Sequence, residues 1–167
     1  MKANFLDIPF IRKDIRLLTS KEILKSTKGN FPDIIIGGPP CQGFSVMGDK
    51  NSADPRNTLF ESYSRLVADL KPKCFVFENV KGFKTMFNGR YLDMVVDSFS
   101  ELGYQIHLKV LNAKDYGVPQ SRERVIIFGT RLKNPFNYPE PQKKSVGKIK
   151  AYTNVGDAIN DLEEKDD

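Results

Sequence analysis

DIIIGGPPCQGFS, residues 33–45, is an apolar run that ends in a Gly-Gly-Pro-Pro turn and presents a cysteine, Cys41. Ile34 to Ile36 is continuous and β-branched, the pattern of a strand buried on both faces of an open α/β sheet. Such sheets carry their chemistry at the carboxyl ends of their strands. Pro39 and Pro40 fix the approach to Cys41, while Gly37, Gly38 and Gly43 admit close neighbours. A cysteine can also be plain core behind a strand. The polar, conformationally restricted flanks of Cys41 instead fit a nucleophile.

Working outward, Thr19 and Glu22 form a capping-box pattern that predicts a short helix over residues 20–26, closed by Gly29-Asn30. Leu59, Tyr63, Leu66, Val67 and Leu70 share one helical face, and Pro72 stops that helix. Phe75 to Phe77 reads as a second buried strand. Leu92, Val95, Val96, Phe99 and Leu102 line another helix, closed by Gly103. Ile106, Leu108 and Val110 alternate with polar residues, and Val125 to Phe128 is a last apolar strand. Strand, helix, strand, helix, strand, strand predicts an open α/β sheet whose last two strands are neighbours near one edge.

Several of these stretches together resemble the DNA (cytosine-5) methyltransferase family. GPPCQGFS resembles its nucleophile motif, FENV at 77–80 its acid motif, and QSRER at 120–124, preceded by LNAKDYGVP, its paired-arginine motif. Thr58-Leu59, after Pro55-Arg56-Asn57, and Asp14-Ile15 resemble its cofactor contacts. The matches run in the family's order over residues 12–131. The resemblance implies a Rossmann-like S-adenosylmethionine methyltransferase sheet with an antiparallel strand near one edge. It implies Cys41, Glu78, Arg122 and Arg124 as catalytic residues, and Asp14, Pro39 and Leu59 as cofactor contacts. Pro40, Gln42, Ser45, Asn79 and Gln120 would line the substrate, with Asn79 also fixing the turn beside the proline-rich loop.

The chemistry suits these residue types. Carbon 5 of cytosine becomes nucleophilic when a thiolate adds to carbon 6, the task for Cys41. A free thiol, with pKa ~8.5, is mostly protonated at neutral pH, so Arg122 or Arg124 converging on Cys41 would favour the thiolate. Glu78 would bond or protonate ring nitrogen 3. Glu78 could instead cap the following turn and the arginines could form surface ion pairs, and as isolated residues Asp14 reads equally as a solvated acid and Leu59 as core. A base inside a duplex is out of reach, so flipping is required. The polar loop 46–57 has the composition of a lid over a flipped base, or of a plain solvated loop. Amino-group methyltransferases place Asp, Asn or Ser before Pro-Pro-aromatic; Gly38 and Cys41 stand in those positions here, which favours carbon as the acceptor.

Composition sets the outer bounds. The 167 residues carry a formal net charge of +5 with pI near 9.1, which permits a polyanionic partner such as double-stranded DNA. Two cysteines and one histidine are too few for an ordinary zinc site or a disulfide framework, so no metal and a reducing, cytoplasmic setting are expected, and the family resemblance makes that a bacterial cytoplasm or nucleoid. No apolar run has the ~20 residues of a membrane helix.

The domain expectation is a partial catalytic domain over 1–131 and a linker over 132–167, basic to Lys150 and acidic from Asp157, leading toward a target-recognition region. The family's Gly-rich cofactor turn has no counterpart before Gly29. The isolated chain is therefore expected to be inactive and to self-associate or need a complementing subunit. The alternatives are a non-catalytic module that binds DNA or a partner, and an RNA cytosine-5 methyltransferase.

Overall fold

A computed structural model describes residues 8–40, 58–141 and 154–159. Helix α1 spans Ser20–Ser26, and its capping box is complete: the Thr19 side chain accepts from the Glu22 amide, and the Glu22 carboxylate accepts from the Thr19 amide. Lys28 and Gly29 then turn through the left-handed region, and strand β1 follows at Ile34–Gly37. Helix α2 (Thr58–Leu70) ends where Lys71 turns left-handed ahead of Pro72. Strand β2 (Cys74–Val80) runs into a kinked 3-10 segment at Lys81–Gly89 and helix α3, Arg90–Glu101. Strand β3 (Gln105–Asn112), a 3-10 turn at Ala113–Tyr116 and strand β4 (Glu123–Thr130) complete the sheet. A short helix α4 spans Val155–Ile159.

The sheet order is β1-β2-β4-β3. β1 runs parallel to β2, and β4 runs antiparallel to both its neighbours. The expected pairing of the last two strands near one edge is met, with β4 inserted between β2 and β3. An inner strand must be apolar on both faces. β4 meets that demand with Val125 and Ile127 on one face and Ile126 and Phe128 on the other.

The core lies between the sheet and helices α2 and α3. Phe60, Tyr63 and Val67 of α2 meet Phe75 and Phe77 of β2, Val95 and Phe99 of α3, and Val125 and Ile127 of β4. The rings pack edge to face: Phe60 meets Phe77, Tyr91 and Phe99 with centroids about 6 Å apart. Each such side chain contributes roughly 1.5–3 kcal/mol by leaving water.

One expectation from sequence is revised. β1 is not buried on both faces: Ile34 is 46 % and Ile36 72 % exposed. Among the described residues β1 has one strand neighbour, β2, and its helix side alone is covered. The stretch after Arg131 has no helical or strand-like apolar period, yet it does not run free. Phe136 and Tyr138, two residues apart, lie against the face of β3 and β4 opposite the helices. Phe136 stacks on Phe128 at 3.8 Å between centroids, and the Tyr138 hydroxyl donates to the carbonyls of His107 and Ile126. Burial pushes that hydroxyl to about 12, so it stays a donor at neutral pH.

Candidate active site

The carboxyl ends of β1 and β2 and the beginning of β4 meet at one edge of the sheet. Gly37 ends β1, Glu78 and Asn79 sit near the end of β2, and Arg124 opens β4 opposite Val80. Glu78 and Arg124 point to the same sheet face because their register positions share a parity. Arg124 Nε donates to Glu78 Oε1 at 2.8 Å, and another Arg124 nitrogen donates to the Glu123 carbonyl at 2.8 Å. The carboxylate is thereby held in one orientation by a charge-assisted bond. Both side chains remain partly exposed, so a ligand can reach them.

The turn after β1 is braced against β2 at two points. A Cβ on Gly38 would stand 2.9 Å from Glu78 Oε2, so the glycine lets the carboxylate lie over the turn. Asn79 is 5 % exposed; its Nδ2 donates to the Pro39 carbonyl at 3.1 Å, and its Oδ1 accepts from the Val80 amide. A third brace comes from α2. Tyr63 packs beneath Gly37, where a Cβ would stand 2.5 Å from its ring, and its hydroxyl donates to the Val76 carbonyl at 2.9 Å. Burial raises the Tyr63 hydroxyl well above the usual phenol range, so it acts purely as a donor.

The structure thus brings Glu78, Asn79, Pro39 and Arg124 together. Pro40 is exposed beside them, while Cys41, Gln42 and Ser45 lie outside the described residues. Arg122 is exposed; its amide donates to Asn112 Oδ1 at 3.0 Å and its carbonyl accepts from Ala113. Gln120 is also exposed, on the loop between β3 and β4. Of the two arginines, Arg124 is the one that meets Glu78.

Asp14 and Leu59 belong to a neighbouring part of the molecule. Arg65 of α2 donates to the carbonyls of Ile15 and Leu18, docking the segment that carries Asp14 onto the helix whose first turn carries Leu59. The Asp14 carboxylate is gripped by Arg16 through bonds of 2.6 to 3.1 Å. That grip holds its pKa down at about 2.

Sequence reasoning missed three supporting groups. Tyr63 reads only as core on a helical face. Arg65 lies on the same helix without a motif. Asn112 caps the 3-10 turn and orients Arg122; the LNA stretch matched the family motif but gave that role no separate signal.

The whole of residues 1–167 matches the C-5 cytosine-specific DNA methylase family. The chain belongs to that family. Type II methyltransferase M.AquIA of Picosynechococcus sp. is 41 % identical over 97 % of this chain and 74 % of its own length. Type II methyltransferase M1.HphI of Haemophilus parahaemolyticus is 38 % identical over 95 % of this chain and 42 % of its own length. Among solved structures, a prophage-encoded E. coli protein assigned as a DNA modification methyltransferase superposes with TM-score 0.70. It shares 31 % identity and covers 93 % of this chain and 42 % of its own. A mutant of Spodoptera frugiperda DNMT2 gives TM-score 0.68 at 26 % identity, covering 99 % and 49 %. The chain thus spans less than half of M1.HphI and of both superposed proteins. Like other members of the methylase family it has an α/β fold. Among the described residues no cluster of His, Cys, Asp and Glu could hold a metal, and no helix is long and apolar enough to cross a membrane.

Proposed function

We propose that this chain carries the chemical centre of a DNA cytosine-5 methyltransferase acting through Cys41 on a flipped-out base. One observation supports this above the rest. Glu78, held by Arg124, lies over the Gly38-Pro39 turn two residues before Cys41. An acid–base carboxylate and a nucleophile-bearing turn are what addition across the cytosine 5,6 bond requires.

In this reading the Cys41 thiolate adds to carbon 6 while Glu78 holds ring nitrogen 3, and Arg124 keeps the carboxylate aimed and faces the exocyclic oxygen. Arg122 and Gln120 position the base or its phosphates from the neighbouring loop, with Pro40, Gln42 and Ser45 lining the approach. S-adenosylmethionine supplies the methyl as an electrophilic carbon on a sulfonium. The residues fit that donor: Leu59 and Pro39 offer apolar surface, and the Asp14 carboxylate would accept from it by exchanging bonds it now makes with Arg16. Once carbon 5 carries the methyl, loss of its proton expels the Cys41 thiolate. The partner is double-stranded DNA, and the setting the bacterial cytoplasm. Residues 1–131 form the catalytic part and 132–167 lead toward the region that selects the DNA sequence.

The test is a covalent trap. Duplex DNA bearing 5-fluorocytosine is mixed with the chain, alone and within a longer protein that includes its flanking sequence, with and without S-adenosylmethionine. Fluorine blocks proton loss, so a protein–DNA adduct persists in a denaturing gel. The expected result, within the longer protein, is a donor-dependent adduct that is absent in Cys41→Ser and formed about 100-fold more slowly in Glu78→Gln, with no adduct from the chain alone. An adduct that survives Cys41→Ser would overturn the proposal.

A further inference from the structure

Asp14 and Leu59 are remote in sequence, and one side chain joins the elements that carry them. Arg65 lies on α2, the helix that opens with Leu59 in its first turn. Its Nη2 donates to the Leu18 carbonyl at 2.9 Å and to the Ile15 carbonyl at 3.2 Å. Both hydrogens of one guanidinium nitrogen are thus committed to the backbone that follows Asp14. Its Nη1 faces Asp69, one turn further along α2, at 3.9 Å.

The segment that Arg65 grips has a shape of its own. The Leu17 amide donates to the Asp14 carbonyl, and the Leu18 amide to the Ile15 carbonyl. The Asp14 carboxylate accepts from the Arg16 amide and guanidinium. Lys13 reaches Glu22 of the α1 capping box at 2.6 Å. These bonds are local, and they set the form of the turn without fixing it to the rest of the molecule. Among the described residues, the two bonds from Arg65 are the hydrogen bonds that tie residues 13–18 to a remote element, across 47 and 50 residues. The Ile15 carbonyl that Arg65 takes also closes the local turn, one peptide from Asp14. Shape and placement therefore meet beside the carboxylate.

We infer that Arg65 is a positioning residue for S-adenosylmethionine: by pinning the Asp14 turn to α2, it presents the carboxylate and Leu59 to the donor as one preformed surface. This rests on the reading of Asp14 and Leu59 as donor contacts. Arg65 acts through Asp14. A preformed site avoids the cost of ordering a loop when the ligand arrives. With the two bonds removed, the turn is docked for only part of the time, and the apparent Kd rises by the inverse of that fraction. A turn docked about a tenth of the time gives a Kd raised about 10-fold. Once the donor is bound the turn is in place, so turnover at saturating donor is unaffected.

The experiment uses the longer protein that includes the flanking sequence. It compares wild type, Asp14→Asn, Arg65→Met, Arg65→Lys, Asp69→Asn and the double variant of Asp14→Asn with Arg65→Met. Equilibrium dialysis with labelled S-adenosylmethionine gives the donor Kd without turnover, and steady-state methylation of duplex DNA gives kcat and KM. Arg65→Met keeps an apolar stem and removes the hydrogen-bond donors. The expected result is a donor Kd about 10-fold weaker in Arg65→Met, an intermediate value in Arg65→Lys, and kcat at saturating donor and KM for DNA within about twofold of wild type. Asp69→Asn, which leaves both carbonyl bonds in place, should bind the donor like wild type. Adding Arg65→Met to Asp14→Asn should cost little more than Asp14→Asn alone, because the turn then has no carboxylate to present.

A merely structural role would lower the unfolding midpoint and leave the donor Kd of the folded protein unchanged, and that result would overturn the inference. So would losses that multiply in the double variant. Where Arg65→Met does not fold, Arg65→Lys decides, and a wild-type Kd there overturns the inference. A wild type that does not bind the donor, or an Asp14→Asn that binds it like wild type, would overturn the reading of the site and the inference with it. Those two arms tell the failures apart.

Discussion

Gly37→Ala tests the brace beneath the nucleophile turn. The new methyl would stand 2.5 Å from Tyr63 Cε2 and 2.8 Å from Cδ2, against an ordinary carbon contact of about 3.5–4.0 Å. Tyr63 has nowhere to go. It is 3 % exposed, its ring is flanked by Phe75, Phe77 and Phe99, and its hydroxyl is tied to the Val76 carbonyl. Overpacking of this kind costs about 1–3 kcal/mol. Breaking the hydroxyl bond as the ring is displaced adds about 1 kcal/mol. The expected destabilisation is thus roughly 2–4 kcal/mol. Tyr63→Leu alone leaves a cavity and should cost a similar amount. The double variant should be no less stable than Tyr63→Leu, because the methyl then fills space the ring vacated. The coupling between the sites should be about 2 kcal/mol. The chain lacks tryptophan, so urea unfolding followed by far-ultraviolet circular dichroism is the assay. Additive losses, or a Gly37→Ala variant within about 0.5 kcal/mol of wild type, would refute the packing argument.

Three further outcomes follow from the same geometry. Gly38→Ala sets a methyl 2.9 Å from Glu78 Oε2, the free end of a flexible side chain; unfolding stability should change by less than about 1 kcal/mol while adduct formation on 5-fluorocytosine DNA collapses, and equal losses in both would count against the site. Bonds from Lys13 and then from Thr19 lower the Glu22 pKa from 4.5 to about 2, so the cap's contribution is full above pH 4.5 and fades as pH falls toward 2; the protection of the Ile23 amide, as its exchange rate relative to an unstructured peptide at the same pH, should fall over that window and should be flat in Glu22→Gln. The edge of β1 that no described strand pairs, together with its exposed apolar face, should drive association at micromolar concentration, seen by sedimentation velocity, and Ile36→Lys should suppress it; a wild-type monomer would contradict this.

Most of the fold was legible because local signals and tertiary demands agree. The Thr19–Glu22 box marks α1 to the residue, and Pro72 marks the end of α2. Strand positions were right but short by one to three residues at an end: β2 extends to Val80 because β4 offers it partners down to Arg124. Sheet order was less legible, since no local pattern says that the last strand lies inside. The exposure of β1 was misread because an apolar run reports what a strand could bury, not what covers it. The docking of Phe136 and Tyr138 on the sheet was missed because two aromatics amid prolines have no period, and their partners are remote in sequence. At the site, Glu78 and Arg124 were visible as motif residues; their ion pair was not, for it depends on the antiparallel register of β2 and β4. The placement of Cys41 lies outside the described residues.

The inside position of β4 has a consequence for how the protein comes into being. Residues 74–80 and 105–112 do not pair with each other: 74–80 lies between 34–37 and 123–130, and among the described strands 105–112 pairs with 123–130 alone. On a chain emerging amino end first, the β1–β2 pair and β3 must wait unjoined to each other until Thr130 is made. The ordering cost of the β2–β4 pairing is then met all at once, across a long loop. Chaperone dependence and aggregation during synthesis should rise steeply for chains halted before Thr130 and fall for those that pass it.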